Sequence, residues 1–334
     1  MHGHSRRDDA RIENTEWTGA ASLFTRPPRL CQLSLSEIFS FLVKVFRAGV
    51  RVSRGAQNQD CETVAELARG LNVLESFNEG DARKTLSEIV RLTSISPAAA
   101  RRSLRTLASL GYVRSANRYF FLNARVLSLG AAYLRSADIE SALMPELRRL
   151  VSISGDTAGI AVLIDTNILY VAHHCMPRGM RPVAAAGVMY PAHATSLGRV
   201  LLASLDEAAL DDYFATVRFE KLTKLTEINP KRLRTILRQI RKRQYATIVD
   251  EFFYGVTSLS VPVVNAAGDT IAALNTSAYT GQTTAEELIK TRLSELKKSS
   301  EQLTRVAVCH PALQQALQTG PENQQRMFKP RKRG

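Results

Sequence analysis

Two places in the chain carry residues suited to chemistry. In SPAAARRSLRTLASLGYV, residues 96–113, Arg101, Arg102 and Arg105 stand together with no acid among them. A guanidinium is planar, permanently charged and donates in a fork, the geometry that phosphate oxygens and guanine edges accept. The second place gathers neutral donors: Ser258 and Ser260 in SLSVP, Asn275 and Ser277 in ALNTSA, and the helix start AHATS. Such groups orient a small polar ligand without a buried cation.

The arginines need an element that holds them outward. Ser96 is suited to N-cap a helix, Pro97 to its first position, and Gly111 to a left-handed stop. At about 100° per residue, Ala98, Arg101, Arg102, Arg105 and Ser109 share one face. Ala100, Ser103, Leu104, Leu107 and Leu110 share the other, against Leu86, Ile89 and Leu92 of the preceding helix. Upstream, Thr63 with Glu66 and Thr85 with Glu88 read as capping boxes that open two helices. The first presents Val64, Leu67, Leu71, Leu74 and Phe77, and NEGDA breaks it. TSIS makes a short turn, and YVRSANRYFFL a hairpin around Ser115, Ala116 and Asn117. Helix, helix, short turn, helix, hairpin is the order of a winged helix-turn-helix, placed at 63–122.

In that motif the third helix enters the major groove of double-stranded DNA. Its start, Ser96, Pro97, Ala98 and Ala99, offers N–H groups to a phosphate and lets the backbone approach closely, with Ala98 facing a thymine methyl. Arg101, Arg102 and Arg105 meet guanine edges or phosphates. Arg114 and Arg118 occupy the wing, and Arg83 and Lys84 flank the second helix to grip the backbone. For any one arginine a solvated cationic face is the competing reading.

Composition agrees with a polyanionic partner. The 334 residues carry a formal charge of +14, which favours nucleic acid first and an anionic membrane second. Cys31, Cys61, Cys175 and Cys309 form no CxxC pair, which fits reduced thiols in a cytoplasm rather than a zinc or redox motif. The mixed-charge start MHGHSRRDDARIENTEW does not read as a signal peptide. The apolar run at 33–46 is shorter than the roughly 20 residues that span a bilayer. Ser34 and Glu37 cap it as an amphipathic helix that docks on the protein or its dimer mate. Contact with a membrane surface and an extension without a core role are the other readings. Residues 1–62 are thus an extension with a linker.

Beyond a connecting helix at 123–137, residues 138–310 alternate helices with strands: TAGIAVLI and ILYVAHHC around Asp165, Thr166 and Asn167, then YATIVDE, SLSVPVV and TIAALNTSA. The class is α/β (α+β), a mainly antiparallel sheet with helices packed on it. A final helix starts at Thr284, boxed by Glu287, and 311–334 reads as a basic, disordered tail. Alternation puts Ser258 and Ser260 on one face of a strand, and Asn275 and Ser277 on one face of its neighbour. They form either a solvent-facing surface or a pocket floor. The helix start at Ser196 and Leu197 would bind a carboxylate through free N–H groups. His193 and Thr195 lie at its mouth, and Tyr190 and Met189 supply apolar walls. HHC at 173–175 alternates on a strand, so it reads as core or edge rather than a metal site. No nucleophile elbow, phosphate loop or carboxylate pair appears, so neither catalysis nor a cofactor is expected.

The segments LARGLNVLESF, TLSEIVRLTSISPAAARRSLRTLASLGYV, YPAHATSLGRVLLASL and GVTSLSVPVVNAAGDTIAALNTSA resemble the IclR family of bacterial transcriptional regulators, over about Ala65 to Ala307. AAARRSLRTLASLGYV and AALNTSA are most similar to its β-ketoadipate pathway regulators. The resemblance implies a winged helix-turn-helix joined by a helix to a GAF-like sensor, and homodimers or homotetramers on palindromic operators. It also implies Ser196, Leu197, Ser258 and Ser277 as ligand contacts, and Glu251 at a position often acidic in the family. The expected effector is a small carboxylate, an aromatic acid or a pathway intermediate. A ligand-independent DNA-binding protein and a DNA-tethered enzyme acting on a small acid are the alternatives.

Overall fold

The computed structural model describes residues 64–78, 81–154, 157–176 and 184–318. The expectations for the helix at 33–46, for Thr63 and for most of the basic tail lie outside them.

The first helix, α1 (Ala65–Glu75), turns Val73 inward, and Phe77 just beyond it packs in the same core. Val64, Leu67 and Leu71 are instead exposed. They lie a turn apart on the far side of α1, so the single apolar stripe expected there is two stripes. Thr85 caps α2 (Leu86–Thr93) with the expected box: its Oγ1 accepts from Glu88 N–H, and Glu88 accepts from Thr85 N–H at 2.8 Å. These bonds hold the Glu88 carboxyl below its usual range. Ser94 ends α2 with φ 56°, the tight turn of the motif. Ser96 Oγ then accepts from Ala99 N–H at the start of α3 (Pro97–Ser109). Gly111, at φ 77°, closes α3. Its N–H bonds Ala108 O and the next N–H, of Tyr112, bonds Leu107 O, a Schellman stop. Ile89, Ala100, Leu104, Leu107 and Val113 fill the core between the helices. Leu110, expected inside, is exposed at the helix cap.

The wing has three strands where a hairpin was expected. β1 (Arg83–Thr85) joins β2 (Val113–Ala116) and β3 (Tyr119–Leu122) in the order β1-β3-β2. The turn falls on Asn117 and Arg118, with Asn117 at φ 53°, one residue later than expected. A short helical turn capped by Asn123 leads into α4 (Leu127–Ser136). Asp138, at φ 47°, separates it from α5 (Ile139–Ser154).

The rest is one antiparallel sheet of six strands: β4 (Thr157–Ile164), β5 (Asn167–Cys175), β6 (Met189–Pro191), β7 (Ala246–Val249), β8 (Val256–Val264) and β9 (Thr270–Tyr279). Their order is β6-β5-β4-β9-β8-β7. On one face Ile160, Val162, Leu259 and Val261 meet Leu143 and Leu147 of α5 and Leu288, Leu296 and Leu303 of α9 (Ala285–Cys309). On the other, Ala161, Tyr170 and Ala273 meet α6 (Ser196–Ser204), whose Leu197, Val200 and Leu201 are buried. Behind α6 pack α7 (Glu207–Thr216) through Tyr213 and α8 (Pro230–Arg243) through Leu237 and Ile240. Helices therefore cover both faces, and the solvent-facing reading of the serine strands is excluded. The fold also runs past residue 310. α10 (Pro311–Leu317) buries Leu313 and Leu317, and Tyr133 of α4 donates to Ala316 O at 3.0 Å. The tail expectation fails for 311–317 because PALQQAL has an apolar face to bury.

Candidate nucleic-acid interface and ligand pocket

Arg101, Arg102 and Arg105 are all exposed, while Leu104 and Leu107 on the same helix are buried. Among the described residues no carboxylate pairs with any of the three. Ser96, Pro97 and Ala98 are exposed beside them at the positive end of α3. Ala99 is not: it is 7 % exposed and packs inward, so it is withdrawn from the contact surface.

On the wing, cross-strand pairing brings basic groups onto rings. Arg83 opposes Phe121, which opposes Arg114. The Arg114 guanidinium lies 5.5 Å from the Phe121 ring centroid, and Arg83 and Arg118 lie 5.3 and 5.1 Å from that of Tyr119. Stacking holds these long side chains in place while leaving them charged. Arg83 also pairs with Asp81 at 3.2 Å. Lys84 departs from expectation. It alternates inward on β1, is 4 % exposed, and its Nζ donates to Asp81 O at 2.9 Å. It ties down a loop instead of facing a phosphate. Only β1, which three residues of sequence do not announce, explains this.

The second site is a cavity of ≈ 110 Å³ between the sheet and α6. Its size is of the order of the ~150 Å³ that encloses benzene elsewhere. Thr195 Oγ1 caps α6 by accepting from Gly198 N–H at 3.0 Å, leaving the Ser196 and Leu197 N–H groups without an acceptor inside the helix. Ser196 Oγ donates to Ser258 Oγ at 2.8 Å and accepts from Ser260 Oγ at 2.7 Å. Asn275 Nδ2 donates to Ser258 and Ser277, and Ser277 Oγ donates to Ser258 Oγ at 2.9 Å. Tyr190, Thr195, Ser196, Leu197, Ser258, Asn275 and Ser277 all line the cavity, as expected of them. Ser260 supports the floor from just beneath.

Two expected ligands lie elsewhere. The Glu251 carboxylate is engaged on both oxygens by Arg199, at 2.7 and 2.5 Å, and one oxygen also accepts from Glu227 N–H. It does not line the cavity; it neutralises a guanidinium that is only 2 % exposed. His193 is fully buried, its Nε2 against Glu220 O at 3.0 Å and its ring edge-on to Phe219. Burial pushes its pKa down. Met189 does not line the cavity either.

In their place come residues that sequence reading passed over. Tyr170, His173 and Cys175 of β5, Thr157 of β4 and Phe252 all line the cavity. A β-bulge lets Tyr170 and His173, three apart, face the same way: Ile160 opposes Ala172 but Ala161 opposes Tyr170. Alternation could have paired His173 with Cys175 on one face. The bulge that adds Tyr170 has no such signal. Gly159 makes room for this wall, since a Cβ there would stand 2.7 Å from the Tyr170 ring and 3.0 Å from Asn275 Oδ1. Burial raises the Tyr170 hydroxyl far above its usual pKa and Tyr190 to about 12, so both stay protonated donors. Among the described residues no lysine or arginine lines the cavity.

Comparison with known proteins identifies both domains. Residues 131–305 match the model of the bacterial transcriptional regulator IclR C-terminal domain, and 66–116 match the IclR helix-turn-helix domain. The chain is 34 % identical to the Pca regulon regulatory protein of Pseudomonas putida, over 75 % of this chain and 85 % of that one. It is 33 % identical to the p-hydroxybenzoate hydroxylase transcriptional activator of Acinetobacter baylyi, over 72 % and 90 %. The fold matches the crystal structure of an IclR homolog complexed with 4-hydroxybenzoate from Microbacterium hydrocarbonoxydans with a TM-score of 0.58 at 21 % identity, covering 72 % of this chain and 98 % of that one.

Proposed function

The chain belongs to the IclR family of bacterial transcriptional regulators, and from that premise we propose that its cavity senses an aromatic carboxylate and sets the affinity of α3 for operator DNA. The observation that carries the sensor half is the meeting of the α6 N-terminus with Ser196, Ser258, Asn275 and Ser277 inside an aromatic-walled cavity. A carboxylate fits there because the Ser196 and Leu197 N–H groups at the positive end of α6 have no acceptor inside the helix. The chain's similarity to the p-hydroxybenzoate hydroxylase transcriptional activator supports an aromatic acid as the first candidate. By linkage such an effector acts only if it binds the DNA-competent and incompetent conformations with different affinity.

The chain acts as a homodimer in the cytoplasm, where its operator lies. The exposed Val64, Leu67 and Leu71 of α1, and Leu127 and Leu129 at the start of α4, are the apolar surface such a dimer would cover. Two α3 helices then enter successive major grooves roughly 34 Å apart.

Arg102→Ala or Arg105→Ala is expected to weaken binding to a duplex selected from a randomised pool by about 10- to 100-fold, the cost of one lost bidentate guanine contact. Fluorescence anisotropy measures it, and unchanged affinity in both variants removes this face from the interface. Ser258→Ala with Ser277→Ala is expected to leave that affinity intact and to weaken 4-hydroxybenzoate binding at least tenfold, since the hydroxyl network that holds Ser196 and Asn275 at the α6 N-terminus is gone. Full-strength calorimetric binding in the double variant rejects the pocket.

A further inference from the structure

The sheet under the cavity carries two rows of residues crossing four strands. One runs Cys175–Thr157–Ser277–Ser258; the other runs His173–Gly159–Asn275–Ser260. Ser196, at the start of α6, bonds Ser258 and Ser260, so the helix N-terminus stands over the β8 end of both rows. His173 stands at the β5 end. Three strand spacings separate the ends, about 14 Å. Allowing a hydrogen bond of about 2.8 Å at each side leaves about 8 Å, the span of one benzene ring with a polar group at each end. Between the ends Gly159 contributes no side chain. The wall there is a run of rings in edge contact: His173 to Tyr170 at 6.0 Å, Tyr170 to Tyr190 at 6.2 Å, Tyr190 to Phe252 at 4.5 Å.

Among the described residues His173 is the one titratable base lining the cavity. Among the described residues its ring nitrogens have no hydrogen-bond partner, and its ring meets Tyr170 edge-on. Burial, with His174 beside it, lowers its pKa to about 4, so the ring is neutral at pH 7. A neutral imidazole exchanges a hydrogen bond with a hydroxyl. The neutral ring itself offers no charge to a second carboxylate.

We propose that His173 reads a ring hydroxyl at the end of the cavity opposite the α6 N-terminus, so that the pocket selects hydroxylated aromatic monocarboxylates over benzoate and over dicarboxylic acids. This rests on the carboxylate-sensor reading and narrows it to a ligand class and a specificity-determining residue. The test is calorimetric titration of the full chain, wild type, His173→Phe and His173→Gln, with 4-hydroxybenzoate, benzoate and adipate. The wild type is expected to bind 4-hydroxybenzoate at least tenfold more tightly than benzoate, and adipate more weakly than 4-hydroxybenzoate. In His173→Phe, which keeps the ring packing, the ratio of the two aromatic acids is expected to fall within about threefold. His173→Gln, which keeps a donor and an acceptor, is expected to retain part of it. Because the readout is a ratio, a general loosening of the pocket does not mimic it, and should the Phe chain fail to fold, the Gln chain still carries the comparison with wild type. An unchanged ratio in the folded variants, or adipate binding more tightly than 4-hydroxybenzoate, overturns the proposal. A wild type that binds none of the three acids is a different result: it overturns the sensor reading itself.

Discussion

A Gly198→Ala chain is expected to lose about 3 kcal/mol of stability in the sensor domain, a fall in Tm of roughly 6–12 °C for a domain of this size. A Cβ at Gly198 would stand 2.2 Å from Ala192 O and 2.4 Å from Ala192 Cα. Both are backbone atoms of the short turn that delivers the chain into α6, and Ala192 is fully buried. No rotamer relieves the clash; either the helix start or the turn must shift. The same shift displaces the Ser196 and Leu197 N–H groups from the cavity, so carboxylate affinity should fall with stability. Scanning calorimetry with and without 4-hydroxybenzoate measures both. A Gly198→Ala chain that melts with the wild type would show that α6 does not lie this close to the turn.

The second large effect belongs to Arg199. Its guanidinium is buried, bidentate on Glu251, and its Nε donates to His193 O at 2.9 Å. Glu251 in turn accepts from Glu227 N–H, and its own carbonyl accepts from Thr226 Oγ1 at 2.6 Å. One ion pair thus ties α6 and the turn before it to the segments on either side of α8. Arg199→Met leaves the Glu251 carboxylate without its cation at a site 16 % exposed. Losing one partner of such a pair costs about 3–5 kcal/mol. The double variant Arg199→Met, Glu251→Leu removes both charges and is expected to recover most of that loss, because an apolar pair of similar volume packs without desolvating a charge. Urea unfolding of the four chains of this cycle gives the coupling. Additive losses would mean that the two groups do not depend on each other.

How far these features could be read in the sequence follows from how local each is. Thr85, Ser96, Thr195 and Thr284 announced helix starts because a cap is satisfied within three residues. Alternation, equally local, put Ser258 and Ser277 on particular strand faces but left solvent surface and pocket floor both open; the family resemblance chose the pocket. Lys84 was misjudged because its direction depends on pairing with Phe120, 36 residues away along the chain. Glu251 was taken for a ligand contact from the family resemblance, which gives no sign of the arginine that occupies it. His173 was passed over because a histidine on an apolar strand is usually core; only the bulge at Tyr170 and the gap at Gly159 turn that strand into a wall. Leu313 and Leu317 were absorbed into a tail by the basic residues that follow them.

The central claim is that ligand in the cavity changes how tightly the arginine face of α3 holds DNA. Its most direct measurement is an anisotropy titration of the full chain against its selected duplex, with and without saturating 4-hydroxybenzoate. The expected result is a shift of at least fivefold in the midpoint with the acid, in either direction, that disappears in the Ser258→Ala, Ser277→Ala chain. Superimposable wild-type curves, under conditions where calorimetry shows the acid bound, would contradict it.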